Sequence, residues 1–245
     1  MGEPVGKKVI EDKEFTLFYD YDELRDGKLN LLSDGGKIEW FRYRMEAVFL
    51  SPLKKLFDRN SDVHKQLNSA PDAEWPWTAM ITAAFSLLLN GIEALGSFLP
   101  ENKTITKEHY NKNKNSRNYF AFKQFIVNYM RDWDVSVKGT DYRDKEGLRY
   151  EDVYIPLILW DYFRNGIAHA FVVKGGGIEY EADKTGFLIK YDGYLEIGPI
   201  KFFQDFEKAL ENYFAEVREP YRTRFISQFN KAYPGRRSAY IRVLA

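Results

Sequence analysis

The sequence predicts a mainly α-helical bundle with a small antiparallel β-sheet inserted before the last long helix. Apolar residues recur at helical spacing over successive long stretches, and prolines stand where those stretches begin and end. Between residues 171 and 198 the period changes to short alternating runs separated by glycines. No repeat or compositional shift marks a linker, so a single domain over residues 1–245 is expected, with 1–35 as an arm packed on it.

Within the arm, Phe15 to Tyr19 and Leu29 to Leu32 read as short strands, closed by the turn Ser33-Asp34-Gly35-Gly36. From Lys37 to Phe57, Ile38, Phe41, Met45, Val48 and Phe49 share one helical face, and Pro52 bends or divides the segment. Pro76 suits the first turn of a helix through Trp77 to Leu99, which Pro100 ends. The next helix runs from about Asn118 to Trp133 with Phe122, Phe125, Ile126 and Tyr129 on one side. Val153 to Ala170 reads as a helix with Pro156 in its first turn. FVVK, IEYEA, FLIKY and YLEIG then read as strands joined by glycine turns. Pro199 opens a helix whose buried stripe is Phe202, Phe203, Phe206, Leu210, Tyr213 and Phe214; Pro220 breaks it, and a last helical stretch reaches about Tyr233.

The totals exclude several classes of function. The 36 Lys+Arg balance the 36 Asp+Glu, so no overall positive field attracts nucleic acid, and any such site is a local patch. Cysteine is absent, which removes disulfides and thiolate nucleophiles. His64, His109 and His169 lie far apart and form no metal-ligand spacing, so neither a metal nor another cofactor is expected. The N-terminal residues carry charges where a signal peptide needs an apolar stretch, and a cytoplasmic protein is expected. Ala79 to Leu99 is long and apolar enough to raise the question of a membrane span, which needs about 20 residues. Asn90, Glu93 and two glycines favour a buried core helix, with no membrane partner.

The segment that carries chemistry is Phe163-Arg164-Asn165-Gly166-Ile167-Ala168-His169-Ala170-Phe171. Arginine offers a fixed, always charged fork suited to phosphate oxygens, histidine exchanges a proton near neutral pH, and asparagine can orient either. Together they could cleave RNA without a metal: the imidazole removes the ribose 2′-OH proton and the guanidinium stabilises charge on the phosphate. Five positions on a regular helix turn a side chain through about 140°, so Arg164 and His169 of one chain make a poor compact pair.

The pattern Arg164-Asn165-x-x-x-His169 resembles the R-x4-6-H motif of the HEPN superfamily, in which a polar residue commonly follows the arginine. The resemblance covers residues 164 to 169 by motif and about 75 to 217 by pattern, through Asn90 to Phe98, the glycine-rich run after the motif and the closing helix. It implies a HEPN-like helical bundle, a homodimer, and a metal-independent endoribonuclease, a toxin or defence effector, leaving a 2′,3′-cyclic phosphate and a 5′-OH. Many members are inactive, so a silent dimerisation or ligand-binding module is the alternative. Members paired with nucleotidyltransferase antitoxins carry R-x4-H-x-Y; Phe171 in the tyrosine position excludes control by its modification and leaves an antitoxin partner open.

Around this motif, Glu93 is the candidate partner of Arg164, as an orienting group or as a buried ion pair. Lys112, Lys114 and Arg117 in NKNKNSR, beside Tyr110, Tyr119 and Phe120, could follow an RNA backbone, against the alternative of a solvated loop. The arginines of YRTRF and YPGRRSAYIR are expected on a solvated face, and His64 and His109 on the surface. A formal P-D…E-x-K match through Pro71-Asp72 and Glu101-Asn102-Lys103 is rejected, because an apolar helix lies where that nuclease core needs strands. Gly175 to Gly177 lacks a following Lys-Ser/Thr and reads as a hairpin turn.

Overall fold

The structure, a computed structural model, describes residues 7–16, 27–58, 60–69, 74–100, 117–143, 147–170 and 176–233. It is mainly helical with small sheets, and the chain divides into two compact units, Met1–Leu53 with Asn212–Ala245, and Lys54–Glu211.

The first unit opens with a hairpin, β1 (Lys7–Ile10) and β2 (Lys13–Thr16), paired antiparallel from Lys7 opposite Thr16 to Ile10 opposite Lys13. The strands lie earlier than the sequence predicts, and Leu29 falls in a 3-10 turn (Lys28–Leu31) where a second strand was expected; residues 17–19 are outside the described set. The two turn residues, Glu11 (φ 49°) and Asp12 (φ 60°), are both left-handed, as a two-residue hairpin loop needs. The Glu11 carboxylate accepts bonds from the Ser33 amide at 3.0 Å and from its hydroxyl, which together hold it below the usual carboxylate range. Ser33 also caps helix α1 (Asp34–Arg44), its Oγ accepting from the Gly36 amide at 3.1 Å.

A π-helical turn (Met45–Leu50) joins α1 to α2 (Ser51–Phe57). Pro52 lacks an amide hydrogen, and the preceding turn widens so that Ser51 bonds back to Glu46, five residues earlier. The predicted segment is thus divided into two α-helical stretches by a π-helical turn. The core of the first unit is aromatic: Phe41 meets Phe225 at 5.4 Å and Phe214 at 6.2 Å, and Trp40 meets Phe229 edge-on at 5.8 Å. Phe225 and Phe229 lie four apart on α9 (Arg222–Ala232), so they face the same side. Arg222 of YRTRF pairs with Asp34 at 3.6 Å on the surface, while YPGRRSAYIR lies outside the described residues from position 234 onward.

In the second unit, α3 (Asp62–Asn68) leads to α4 (Glu74–Ser97), which has Pro76 in its first turn. Ile81, Phe85, Leu88, Leu89, Ile92 and Leu95 of α4 are buried. Met80–Ser97 is long and apolar enough to cross a membrane, and half of it is buried in the fold. Helix α5 (Arg117–Tyr129) crosses α4 so closely that a Cβ on Gly96 would lie 1.8 Å from the Ala121 carbonyl oxygen. Gly96 is therefore what lets the two backbones touch. A 3-10 turn (Arg131–Trp133) replaces the expected end of this helix.

Lys123 on α5 is only 5% exposed, with Nζ 5.1 Å from the centroid of the Tyr154 ring. Burial lowers its pKa from the ordinary 10.5, and Asp134 opposes part of that shift. A lysine whose folded value lies below its unfolded one lowers stability at neutral pH, and stability rises with pH between the two values. Lys123→Met should raise stability at pH 7 by on the order of 1 kcal/mol and remove this rise. Thermal denaturation followed from about pH 7 to 10 checks it; a variant that melts lower than the parent at both ends contradicts it.

After α5, β3 (Ser136–Lys138) pairs antiparallel with β4 (Asp152–Tyr154). Val153 and Tyr154 thus belong to a strand, where the sequence predicts the start of a helix; β-branched and aromatic residues suit the pairing. The helix starts at Ile155 with Pro156 in its first turn, as α6 (Ile155–Ile158), continues through a π-helical turn (Leu159–Arg164) and ends as α7 (Asn165–Ala170). The sheet that follows lies just before the last long helix, as expected, in the order β5 (Gly176–Ile178), β7 (Leu195–Ile197), β6 (Phe187–Ile189). Its pairing is mixed, not all antiparallel: β6 runs antiparallel to β7, but β5 runs parallel to it. Much of IEYEA forms a 3-10 turn (Tyr180–Lys184), so β5 and β6 are not hairpin neighbours and β7 returns between them.

Helix α8 (Pro199–Arg218) is capped by Asp183, whose Oδ1 accepts from the Ile200 and Lys201 amides at 2.9 and 3.1 Å. Every residue of its predicted stripe is buried. In the second unit Phe202 meets Trp133 at 4.6 Å and Phe85 at 4.9 Å, and Phe206 meets Phe125 at 5.9 Å. From Asn212 onward α8 belongs to the first unit.

Candidate functional site

The site is built on the helix α6 to α7 and on α4. Phe163 is fully buried and meets Phe85 of α4 edge-on at 5.8 Å, which fixes the approach of the two helices. One residue on, Arg164 turns its guanidinium toward α4, and Nη2 donates to Glu93 Oε2 at 2.8 Å. Nη1 donates to Asn165 Oδ1 at 3.0 Å. The guanidinium carbon lies 4.7 Å from the centroid of the Trp160 ring, giving the cation an aromatic shelf. Among the described residues, the buried Nε of Arg164 has no hydrogen-bond partner.

Arg164 and Glu93 are 18% and 17% exposed, so the pair sits at the margin of the core with one edge open. Glu93 lies between the buried face of α4 and an exposed stripe of Met80, Ala83, Leu87, Asn90, Ala94 and Ser97. Two of the three arginine contacts, to Trp160 and Asn165, come from its own helix, and the third crosses 71 positions of sequence.

The helix ahead of Arg164 is also anchored from outside. Tyr142 donates its hydroxyl to Asp161 Oδ2 at 2.6 Å, and the Tyr162 hydroxyl accepts from the Arg143 amide at 2.7 Å. The Tyr142 and Tyr162 rings lie 5.0 Å apart. Burial pushes the Tyr162 phenol up from its ordinary value, so it stays protonated at neutral pH and also donates to the Arg143 carbonyl. The turn ending at Arg164 is therefore pinned on both sides.

Of the residues expected at the site, Arg164, Asn165 and Glu93 come together. His169 lies on α7, on the same continuous helix as Arg164, but its side chain is outside the described residues. Lys112 and Lys114 are outside them too; Arg117 begins α5, its side chain not described. His109 lies outside as well. His64 corrects an expectation: it is 3% exposed, with Nδ1 3.1 Å from the Leu56 carbonyl oxygen, because Ser61 caps α3 and turns the histidine toward the end of α2. Polar sequence neighbours concealed its burial. Among the described residues no group of three or more His, Asp or Glu side chains could hold a metal ion.

No protein-family model matches the chain, and no match was found among curated proteins or solved structures.

Trp160 is the site residue that sequence reasoning missed. In the sequence it reads as part of an apolar helix start. Its signal was nevertheless present, since an aromatic four positions before an arginine on a helix places ring and cation on one face. The π-helical turn between them left no comparable trace in the sequence.

Proposed function

We propose that this chain is a HEPN-type, metal-independent endoribonuclease acting on single-stranded RNA. The observation that supports this reading best is the guanidinium of Arg164, held by Glu93, Asn165 and Trp160 just before His169 on one helix. Preorganised cations aimed at a developing phosphate charge act more strongly than mobile ones, because no reorganisation is needed at the moment of reaction. In the proposed step His169 takes the 2′-OH proton, the 2′-oxygen attacks the phosphorus and Arg164 steadies the charge. The P–O bond to the 5′-oxygen then breaks, that oxygen takes a proton from water and leaves as the 5′-OH, and His169 returns its proton to solvent. The exposed stripe of α4 beside Glu93, with Leu87 53% exposed, offers a face on which a second copy would bring its own motif near.

Cleavage of single-stranded RNA by purified protein should persist in excess EDTA and yield cyclic-phosphate ends. Loss of activity on chelation, restored by magnesium or manganese, would rule the mechanism out. Light scattering should give twice the 28.8 kDa chain mass at micromolar concentration. A monomer under those conditions removes the paired-motif site.

A silent HEPN module is the second reading, favoured by one fact: the Glu93 carboxylate already neutralises one edge of the Arg164 fork. Glu93→Ala separates the two. Both readings predict a loss of about 1–3 kcal/mol of stability, since a largely buried cation loses its partner. The nuclease reading adds a fall in kcat at unchanged KM, as the guanidinium loses its orientation.

A further inference from the structure

Away from Arg164, the second unit carries a cavity of about 590 Å³, in the range of small-molecule sites. One face of α8 makes its wall, through Ile200, Phe203, Gln204 and Glu207 at helical spacing. Phe203 stacks on Phe57 of α2 at 4.9 Å, and with Ile200 these rings form an apolar floor. Three of the charged groups around it are already satisfied. Lys54 pairs with Glu207 at 2.9 Å, and Asp183 accepts from the first amides of α8, which closes that helix end to an anion.

Among the remaining polar groups, Asp58 accepts from the Asn60 backbone amide at 2.9 Å through Oδ1. Among the described residues, the side-chain amides of Asn60 and Gln204 and the ammonium of Lys184 have no hydrogen-bond or ion-pair partner, and the Asp58 carboxylate has no cation beside it. An amide side chain presents one donor and one acceptor, the same pair that a peptide group presents. An unpaired cation and a carboxylate without a cation among the lining residues match a ligand that carries both charges, and the floor takes an apolar side chain.

We propose that this cavity binds a short peptide of two or three residues with free ends and an apolar side chain. Lys184 receives its carboxylate and Asp58 its ammonium, while Asn60 and Gln204 pair with its peptide groups. A free amino acid has no peptide group for the two amides. A nucleotide brings a phosphate against Asp58 and Glu207.

Isothermal titration of the full chain with trileucine tests this, with N-acetyl-trileucine amide, leucine and adenosine monophosphate as comparisons. The expected result is saturable binding of trileucine that weakens about tenfold or more when its ends are blocked. It should weaken by a similar factor in Gln204→Ala and in Lys184→Glu, both exposed positions. Absence of binding up to about 10 mM trileucine overturns the proposal, since such a site would be weaker than any specific pocket of this size. Equal affinity for the blocked peptide, preference for the nucleotide, or affinity unchanged in both variants overturns it as well.

Discussion

Arg164→Ala and His169→Ala should each reduce cleavage of single-stranded RNA by about 10²–10⁴-fold. The two losses have different causes. Removing the imidazole removes the group that takes the 2′-OH proton, and the pH optimum should disappear with it. Removing the guanidinium leaves proton transfer in place but deprives the phosphate of its cation, and it also strands Glu93 at the core margin. Arg164→Ala should therefore lower the melting temperature as well as the activity. Asn165→Ala should cost less, because one of several contacts that orient the guanidinium is lost and Glu93 and Trp160 remain. A gel assay with circular dichroism on the same preparations decides the matter. Parent protein that cuts no RNA, with Arg164→Ala destabilised, would assign the cluster a structural role and favour the silent module.

The largest effect on stability is expected at Gly96. A methyl group there would stand 1.8 Å from the Ala121 carbonyl oxygen, and both sides of that contact are helix backbone, so no side chain can turn away. Gly96→Ala should cost about 3 kcal/mol or more, despite the gain of roughly 1 kcal/mol that alanine brings to a helix interior. Gly96→Val should abolish folding of the second unit. Thermal melts read this directly; an alanine variant as stable as the parent would show that α4 and α5 can move apart without penalty. Such a shift would also move Glu93, so any surviving activity in Gly96→Ala measures how far the Arg164 contact depends on the α4 position.

How much of this was legible in advance depends on the range of the interaction. The buried face of α8 could be read from Phe202 to Phe214 because a helical stripe repeats locally, and Pro76, Pro156 and Pro199 mark first turns through a missing amide that needs no knowledge of the rest of the chain. Arg164, Asn165 and His169 could be picked out because the residue types and their spacing are local as well. The misplacements have the opposite origin. Val153 and Tyr154 sit next to a helix and share its apolar character, and only pairing with Ser136–Lys138 makes them a strand. β5 and β7 are parallel because the chain makes a 3-10 turn and a further strand before β7 returns, which no hairpin pattern encodes. His64 looks solvated among polar neighbours until the Leu56 carbonyl is brought over it.

By itself, then, the sequence determined the helical class, the stripe of α8 and the residues of the motif, since each is set by side-chain period or backbone chemistry within one or two turns. Tertiary structure alone decided that Glu93 meets Arg164, that α4 and α5 touch at Gly96, and that a cavity opens between α8 and the end of α2. These are contacts between segments far apart in the chain. They exist only once packing has chosen which faces meet.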